Sequence, residues 1–142
     1  MHIVCPSCHK TNRAPTDKPL DQALCGSCGQ VLFDGKPVEI DLLILRRHIE
    51  RNDIPVLVDF WAPWCAPCRM MAPAFAEAAG HLKTTVRLAK VNTEEHQQAG
   101  SLFAIRSIPT MVLFAGGQEL GRVSGAMNAT QIQHWVSQQL AH

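Results

Sequence analysis

Residues 58–68 read Val58-Asp-Phe-Trp-Ala-Pro-Trp-Cys-Ala-Pro-Cys68, so an apolar segment is followed directly by a Cys-x-x-Cys pair. Together with Pro55-Val-Leu before it, the apolar segment holds a single charge, which is typical of a central parallel strand covered on both faces. Helical periodicity then extends from Ala66 to Leu82, and Pro67 suits the first turn of a helix, where its missing N–H is not needed. The sequence therefore predicts a buried strand that delivers two cysteines to a helix N-terminus.

Cys65 and Cys68 have the spacing of a redox-active dithiol. The unpaired N–H groups and the positive dipole end of a helix N-terminus stabilise a thiolate there. The second cysteine lies one turn further along, within disulfide reach, so the first sulfur can attack a disulfide and the second can release the product. The alternative interpretation is half of a zinc site. It is disfavoured because no further cysteine pair remains for it if the four N-terminal cysteines act together.

The rest of the chain predicts alternating helices and strands. The further segments with helical character are 41–52, 94–103 and a last helix that begins with a capping box formed by Asn128 and Gln131. The segments with strand character are 38–40, 86–91, 110–114 and 118–123, of which the last two flank a hairpin turn at Gly116-Gly117. This order predicts an α/β fold in which a central mixed sheet is flanked by helices on both faces.

The active-site stretch resembles that of the thioredoxins, in which Trp-Cys-x-Pro-Cys follows Val-Asp-Phe-Trp-Ala. The resemblance continues in register through 89–92, the Ile-Pro-Thr of 108–110, Gly117 and Gly125-Ala126. It covers residues 38–142 and implies the thioredoxin fold and the reduction of protein disulfides. One departure is Ala66, where the family most often has glycine. Because residues between the two cysteines influence the reduction potential, activity as a disulfide oxidant or isomerase stays open.

The resemblance implies a catalytic role for four residues. Cys65 is expected to be the nucleophile and Cys68 the buried resolving thiol. Asp59 matches the family's buried carboxylate behind the disulfide, and burial in an apolar strand should raise its pKa, so that it can exchange a proton with Cys68. The alternative for Asp59 is a strand-end carboxylate in solvent. Lys90 matches the family's lysine near this acid, although the residue alone is equally consistent with a solvated strand lysine.

The resemblance also implies a substrate-docking surface beside the disulfide. The backbone of Ile108 is expected to pair with an extended substrate segment, and Pro109 is expected to follow a cis peptide bond and to keep metals or backbone donors from the sulfurs. The apolar residues of this expected surface are Trp64, Pro67, Ile108, Gly125 and Ala126.

The first two Cys-x-x-Cys pairs, Cys5/Cys8 and Cys25/Cys28, are separated by sixteen residues, which lies within the window typical of zinc sites. Two such turns can aim four thiolates at one ion and leave no open position, so a bound zinc should be structural. Gly26 and Gly29 are expected to supply positive φ in the second turn. His2 and His9 are expected to be surface residues rather than ligands. The alternatives are four free thiols or two disulfides.

The amino-terminal segment predicts a separate module. Residues 1–33 contain few large apolar groups and need an external staple, and Asp34-Gly-Lys-Pro37 indicates a boundary. The sequence therefore predicts a zinc-ribbon module over 1–36 and a thioredoxin domain over 37–142. This arrangement resembles the zinc-containing branch of the bacterial thioredoxins. Because zinc-bound thiolates can be oxidised, a further hypothesis is that oxidants eject the zinc and alter activity or partner choice.

Composition excludes several other functions. The 142 residues are 46% hydrophobic and 18% charged, and 13 Lys+Arg against 12 Asp+Glu leave a net charge of +1. A nucleic-acid partner or a membrane partner is therefore not expected. The N-terminus lacks the pattern of a secretory signal, so we expect a cytoplasmic protein. In that reducing compartment, paired cysteines favour metal binding or redox chemistry over structural disulfides.

The expected cofactors and partners follow from these assignments. Zinc and the redox-active disulfide are expected, whereas no glycine fingerprint predicts a bound nucleotide cofactor. The resemblance implies that disulfide-containing proteins are the substrates and that an NADPH-dependent flavoprotein, thioredoxin reductase, is the electron donor. We expect a monomer. A function of another class also stays open, in which the chain is a non-catalytic zinc-ribbon redox sensor or adaptor.

Overall fold

The computed structural model describes residues 1–141. Strands and helices follow one another along this part of the chain. In order they are β1 (His2–Val4), β2 (Thr11–Arg13), the 3-10 turn (Leu20–Gln22), β3 (Val38–Glu39), α1 (Leu42–Arg51), β4 (Val56–Trp61), α2 (Ala66–His81), β5 (Arg87–Asn92), α3 (Gln97–Leu102), β6 (Thr110–Ala115), β7 (Gln118–Ser124) and α4 (Ala129–Leu140).

The main sheet has five strands in the order β3-β5-β4-β6-β7. β3, β5 and β4 run parallel, whereas β6 pairs antiparallel with β4 and β7 pairs antiparallel with β6. Every residue of β4 except Trp61 is buried, as expected for a central strand. The predicted mixed sheet is confirmed, and so is its hairpin, because Gly116 and Gly117 both have positive φ, at 59° and 81°.

Helices cover both faces of this sheet. One apolar core contains Leu45 of α1 and Val58 and Phe60 of β4. The opposite core contains Phe75 of α2 and Ile132 of α4, packed on Leu57 and its neighbours. Since side chains alternate along a strand, Asp59 points to the same face as Leu57, which α2 covers. The sheet thus holds Asp59 under the helix that begins at the Cys-x-x-Cys pair.

The third helix is shorter than its sequence pattern predicts. The pattern predicts a helix over 94–103, but α3 begins only at Gln97. The side-chain oxygen of Asn92 accepts hydrogen bonds from the backbone N–H groups of Glu94 and Glu95, at 3.0 and 3.2 Å. These bonds form an Asx turn, which competes with helix at this position. By contrast, the capping box of Asn128 and Gln131 forms as predicted.

The N-terminal segment packs against the end of the main sheet at which strands β4 and β5 begin. β1 and β2 form a small antiparallel pair, and a third apolar core contains Ile3, Leu32 and Phe33. Ile54, which precedes β4, completes this core. The Cys-x-x-Cys pair lies beyond the other end of β4. Among residues 1–141, no helix is both long enough and apolar enough to cross a membrane.

Candidate active site and metal centre

Cys65 and Cys68 form a disulfide at the N-terminus of α2. Cys65 is the N-cap residue, and its Sγ accepts a hydrogen bond from the backbone N–H of Cys68 at 3.2 Å. Cys65 and Cys68 are both buried, at 5% and 2% exposure. The same N–H group and helix dipole are available to stabilise a thiolate when the disulfide is reduced.

The Ile108–Pro109 loop lies against this disulfide. The carbonyl oxygen of Ile108 is 3.7 Å from the Sγ of Cys65, and the Ile108–Pro109 peptide bond is cis, as expected. The Ile108 side chain packs on the small cluster formed by Ala62 and the two cysteines. The backbone N–H of Gly125 donates to the carbonyl oxygen of Pro109 at 2.9 Å, so the Gly125-Ala126 segment lies beside the Ile108–Pro109 loop.

The residues predicted to form a docking surface are solvent-accessible to different degrees. Trp64 is 67% exposed, Ile108 is half-buried, and Pro67, Gly125 and Ala126 are exposed. One apolar residue was missed. Met70 is 77% exposed, and it lies three positions after Pro67 on α2, on the same helical face. That spacing was the available signal, but exposure of a methionine cannot be deduced from a largely apolar helix.

Asp59 is a buried acid without a hydrogen-bond partner in the part of the chain that the structure describes. It is 1% exposed, and neither carboxyl oxygen has a partner. Burial raises the pKa of Asp59 to about 7, an effect opposed by the positive charge of Lys90 and increased by Glu39. The solvent-exposed alternative for Asp59 is therefore wrong. Glu39 was not identified from the sequence, because only the sheet register brings it beside Lys90.

Lys90 lies between Asp59 and the Trp61 ring on the same face of the sheet. It lies directly opposite Asp59 in the β4–β5 pairing, so the two side chains share one face of the sheet. Its Nζ is 4.5 Å from the centre of the Trp61 ring, a cation–π distance. The structure thus brings Asp59 and Lys90 together on the α2 face of the sheet.

The four N-terminal cysteines converge on a single point. Their sulfur atoms lie within 4.8 Å of one another, and the shortest separations between the two pairs are 3.7 Å for Cys5 and Cys28 and 3.6 Å for Cys8 and Cys25. Four sulfurs at this spacing fit the tetrahedral Cys₄ set that zinc prefers. The alternative of two disulfides is not seen, since all four cysteines are free.

Backbone N–H groups surround the first sulfur of each pair. Cys5 Sγ accepts from Ser7 and Cys8, at 3.3 and 3.4 Å. Cys25 Sγ accepts from Ser27 and Cys28, at 3.4 and 3.5 Å, and also from the side-chain amide of Asn12 at 3.4 Å. Hydrogen bonds of this kind stabilise a thiolate, which is the form that binds metal.

One expectation about the cysteine turns is wrong, and a second is incomplete. Gly29 has the predicted positive φ, but Gly26 does not; its N–H instead donates to the Asn12 side chain at 2.9 Å. In the first turn the left-handed residue is His9, with φ of 66°. Its ring packs against buried His48, with Nδ1 of His9 3.1 Å from Nε2 of His48, so His9 is not a simple surface residue. His2 is exposed and lies 3.7 Å from Asp53.

Comparison with known proteins finds two families along the chain. The family model described as Thioredoxin matches residues 44–138, and the model described as Thioredoxin 2, N-terminal, matches residues 4–30. The chain is 42% identical over 140 residues to Thioredoxin C-3 of Corynebacterium nephridii, covering 99% of this chain and 96% of that protein. It is 44% identical over 95 residues to Thioredoxin 1 of Nostoc sp., covering 67% of this chain and 89% of that protein.

Solved structures give the same result for the fold. The thioredoxin of Malassezia sympodialis superposes with a TM-score of 0.65 at 31% identity, covering 71% of this chain and 88% of that one. A mutant thioredoxin from Halobacterium salinarum gives a TM-score of 0.67 at 29% identity, covering 74% and 91%. The chain belongs to the thioredoxin family and carries the N-terminal zinc-ribbon segment of the thioredoxin 2 group. It is a thiol–disulfide oxidoreductase of the protein-disulfide reductase type.

Proposed function

We propose that this chain reduces protein disulfides by cycling Cys65 and Cys68 between dithiol and disulfide. The observation that carries the proposal is the disulfide at the N-terminus of α2, lying 3.7 Å from a backbone carbonyl of the Ile108–Pro109 loop. In the reduced protein the Cys65 thiolate attacks one sulfur of a substrate disulfide and releases the other as a thiolate. Cys68 then attacks Cys65 in the mixed disulfide, which frees the second substrate thiol and oxidises the pair.

Asp59 serves in this proposal as the proton acceptor for the resolving step. Cys68 must lose a proton before it attacks, and a carboxylate with a pKa of about 7 is matched to that transfer near neutral pH. Asp59 shares a face of the sheet with Leu57, and Met71 and Phe75 of α2 pack on that face. Lys90, opposite Asp59 in the sheet, keeps the pKa of the acid from rising further.

Substrate recognition is assigned to the surface around the disulfide. An extended substrate segment is expected to pair with the backbone of Ile108, with Pro109 shaping the loop and keeping metals and backbone donors from the sulfurs. Apolar contacts are assigned to Trp64, Pro67, Gly125, Ala126 and the Ile108 side chain, and Met70 extends the surface along α2.

The electron donor is proposed to be the NADPH-dependent flavoprotein thioredoxin reductase, as in the family generally. The cytoplasm is proposed as the site of action, because paired cysteines in a reducing compartment favour metal binding and redox chemistry over structural disulfides.

The N-terminal cluster is proposed to hold one structural zinc ion through Cys5, Cys8, Cys25 and Cys28. Bound there, zinc would supply a cross-link between the two turns and leave no coordination position for a substrate. We divide the chain accordingly into a zinc ribbon, residues 1–36, and a thioredoxin domain, residues 37–142.

The zinc site is further proposed to respond to oxidants. Two zinc-bound thiolates and one molecule of hydrogen peroxide give one disulfide and two hydroxide ions. Zinc is then released because two of its four ligands no longer exist as thiolates. Peroxide titration of the zinc-loaded protein, with a chromophoric chelator to detect released metal, tests this. Zinc that stays bound while Cys65 and Cys68 are fully oxidised would overturn it.

The reduction potential of the Cys65–Cys68 pair tests the proposed direction of electron flow. The zinc-loaded protein is equilibrated with a reference redox couple, and the fluorescence of Trp64, adjacent to the disulfide, reports the oxidised fraction. A value near the roughly −270 mV of thioredoxin supports a disulfide reductase. A value near about −180 mV, as in protein disulfide isomerase, would make the chain an oxidant or isomerase instead.

A further inference from the structure

Two side chains of α1 and its C-cap clamp both ends of the first cysteine turn. The side-chain oxygen of Asn52 accepts a hydrogen bond from the backbone N–H of Val4, the residue before Cys5, at 2.8 Å. Its amide nitrogen lies 3.1 Å from Nδ1 of His48. Nε2 of His48 in turn lies 3.1 Å from Nδ1 of His9, the residue after Cys8.

This chain of contacts is buried and has a defined direction. His48 is fully buried, and Asn52 is 5% exposed. Burial lowers the pKa of His48 to about 3, so its ring is neutral, with one nitrogen that donates and one that accepts. The amide of Asn52 donates to Nδ1 of His48, and Nε2–H of His48 therefore donates to His9. The buried side-chain polar atoms of Asn52 and His48 all have partners in this network, so a substitution that leaves one of them unpaired should be costly.

Arg87, at the start of β5, connects the two halves of the ribbon. Its Nη2 donates to the carbonyl oxygens of Val4 and Leu32, at 2.9 and 2.8 Å. Val4 precedes the first cysteine turn, and Leu32 follows the second. The guanidinium also lies 5.9 Å from the centre of the Phe33 ring, and the whole residue is only 3% exposed.

Within residues 1–141, Arg87 forms no salt bridge, and the acidic side chain that acts on its charge most strongly is Asp34. Nε of this buried guanidinium has no hydrogen-bond partner in the same part of the chain. Burial lowers the pKa of Arg87 even though the charge of Asp34 opposes this effect, so Asp34 does not offset the whole cost of burying the guanidinium, and a further negative field would stabilise it. A zinc ion bound by four thiolates carries a net charge of −2 and would supply that field next to Val4.

We propose that His48, Asn52 and Arg87 are positioning residues of the zinc site, which hold the two cysteine turns at the separation that one ion requires. The proposal rests on the proposed zinc binding and adds that the thioredoxin domain is part of the metal site. Residues that orient metal ligands in this way commonly change metal affinity ten- to a hundredfold when they are replaced. Thermodynamic linkage makes the effect reciprocal, so zinc bound to the ribbon stabilises the thioredoxin domain.

The first experiment measures the rate of zinc release from the full-length protein to an excess of chromophoric chelator under reducing conditions. Arg87→Met keeps much of the length and apolar contact of the side chain but removes both carbonyl hydrogen bonds. Asn52→Leu keeps the approximate shape of the side chain but removes both of its polar contacts. Each is expected to release zinc about tenfold faster than the wild type, or more. A wild-type release rate in both variants would overturn the proposal.

Two control variants separate positioning from general loss of stability. Arg122→Met removes an exposed arginine that pairs with Glu119, on the hairpin of the thioredoxin domain. Ile132→Val weakens the core between α2 and α4, where no ribbon residue packs. Both are expected to release zinc at the wild-type rate, although Ile132→Val makes unfolding easier. Faster zinc release from Ile132→Val would mean that zinc escapes when the protein unfolds. Faster release from Arg87→Met and Asn52→Leu would then no longer support a positioning role.

A second measurement is independent of that route. The midpoint of thermal unfolding is determined with and without zinc for each variant. A residue with a purely structural role lowers both midpoints equally, whereas a positioning residue reduces the difference between them. We expect a smaller zinc-dependent difference in Arg87→Met and Asn52→Leu, and an unchanged one in Ile132→Val. An unchanged difference in the first two variants would overturn the proposal.

Metal analysis of the wild type distinguishes this failure from failure of the proposed zinc site. If the purified wild type, offered zinc under reducing conditions, retains none, then the zinc site itself is wrong and the positioning role falls with it. If it retains one ion per chain and the Arg87 and Asn52 variants lose it no faster, then the zinc site stands and the positioning role is wrong, including that of His48, which Asn52 orients.

Discussion

The ribbon and the active site use the same Cys-x-x-Cys spacing, and their first four residues fold almost identically. In each pair the N–H of the second cysteine donates to the sulfur of the first, at 3.4, 3.5 and 3.2 Å for Cys8, Cys28 and Cys68. The following N–H also donates to the carbonyl of the first cysteine in all three cases, at 2.9 to 3.1 Å. The motif alone therefore does not decide between metal binding and redox chemistry.

The difference lies in the residue after the second cysteine. His9 and Gly29 adopt positive φ, and the chain then turns back, with Cys5 N–H bonded to Lys10 and Cys25 N–H bonded to Gln30. Arg69 instead continues α2. A reversed chain leaves two separate sulfurs facing a second pair, whereas a helix keeps two sulfurs together within bonding distance. In this structure the path of the chain after the second cysteine therefore distinguishes the two ribbon pairs from the active-site pair.

The largest expected effect comes from the active-site pair. Cys65→Ser replaces a nucleophilic thiolate with a hydroxyl that does not ionise near neutral pH, so disulfide reduction should fall more than about a thousandfold. Zinc content should stay at the wild-type level, since the two sites lie at opposite ends of β4. Insulin reduction and metal analysis of one preparation check both. Substantial residual reduction would contradict the proposed nucleophile.

The reciprocal change belongs to the ribbon. Cys25→Ser removes the sulfur with the most hydrogen bonds, and we expect loss of zinc and a midpoint of thermal unfolding lower by about 10 °C or more. Disulfide reduction below that midpoint should persist, because Cys65 and its neighbours are untouched. Calorimetry and an activity assay at low temperature measure these effects. Full zinc occupancy in this variant would contradict the four-cysteine site.

Asp59 gives a smaller effect with a defined pH dependence. Its pKa is raised in the folded protein from about 4 to about 7, so the folded state binds the extra proton, and stability declines as pH rises through this window. Asp59→Asn should therefore be more stable than the wild type at pH 8, by up to about 4 kcal/mol, and equally stable near pH 4.

The same variant should be a poorer enzyme. Without a carboxylate to accept the proton of Cys68, resolution of the mixed disulfide should slow at least about tenfold near neutral pH. Single-turnover kinetics isolates this step, and urea unfolding at both pH values measures the stability. A variant with wild-type kinetics would remove Asp59 from the mechanism while leaving the pKa argument intact.

Ala66 gives the smallest expected effect. It is the first residue of α2, where glycine costs less than in a helix interior, so Ala66→Gly should lower the free energy of unfolding by less than about 1 kcal/mol. Zinc release should be unchanged. Measurement of the reduction potential of this variant beside the wild type shows how far the alanine tunes the pair. A large change in potential would identify Ala66 as a determinant of redox direction.

Much of the fold and of the site could be predicted before the structure. The apolar run into Cys65, the Gly116-Gly117 hairpin and the Asn128 capping box are local patterns, each dictated by burial or by backbone geometry within a few residues. The late start of α3 was not predicted, because Asn92 forms an Asx turn that competes with the helix. The φ predicted for Gly26 was wrong because each turn places its left-handed residue after the second cysteine, at His9 and Gly29, whereas Gly26 occupies the position that Pro6 has in the first turn, where φ is negative.

The three cysteine pairs, the strand that leads into a helix at Cys65, and the fold to which these belong could all be recognised in the amino-acid sequence. Local propensity and the spacing of ligands carry that information. The contacts of His48, Asn52 and Arg87 with the ribbon became visible only in the folded chain, as did the position of Lys90 between Asp59 and Glu39. Such contacts depend on which buried polar groups find partners across the sheet, and no periodicity in the chain records that pairing.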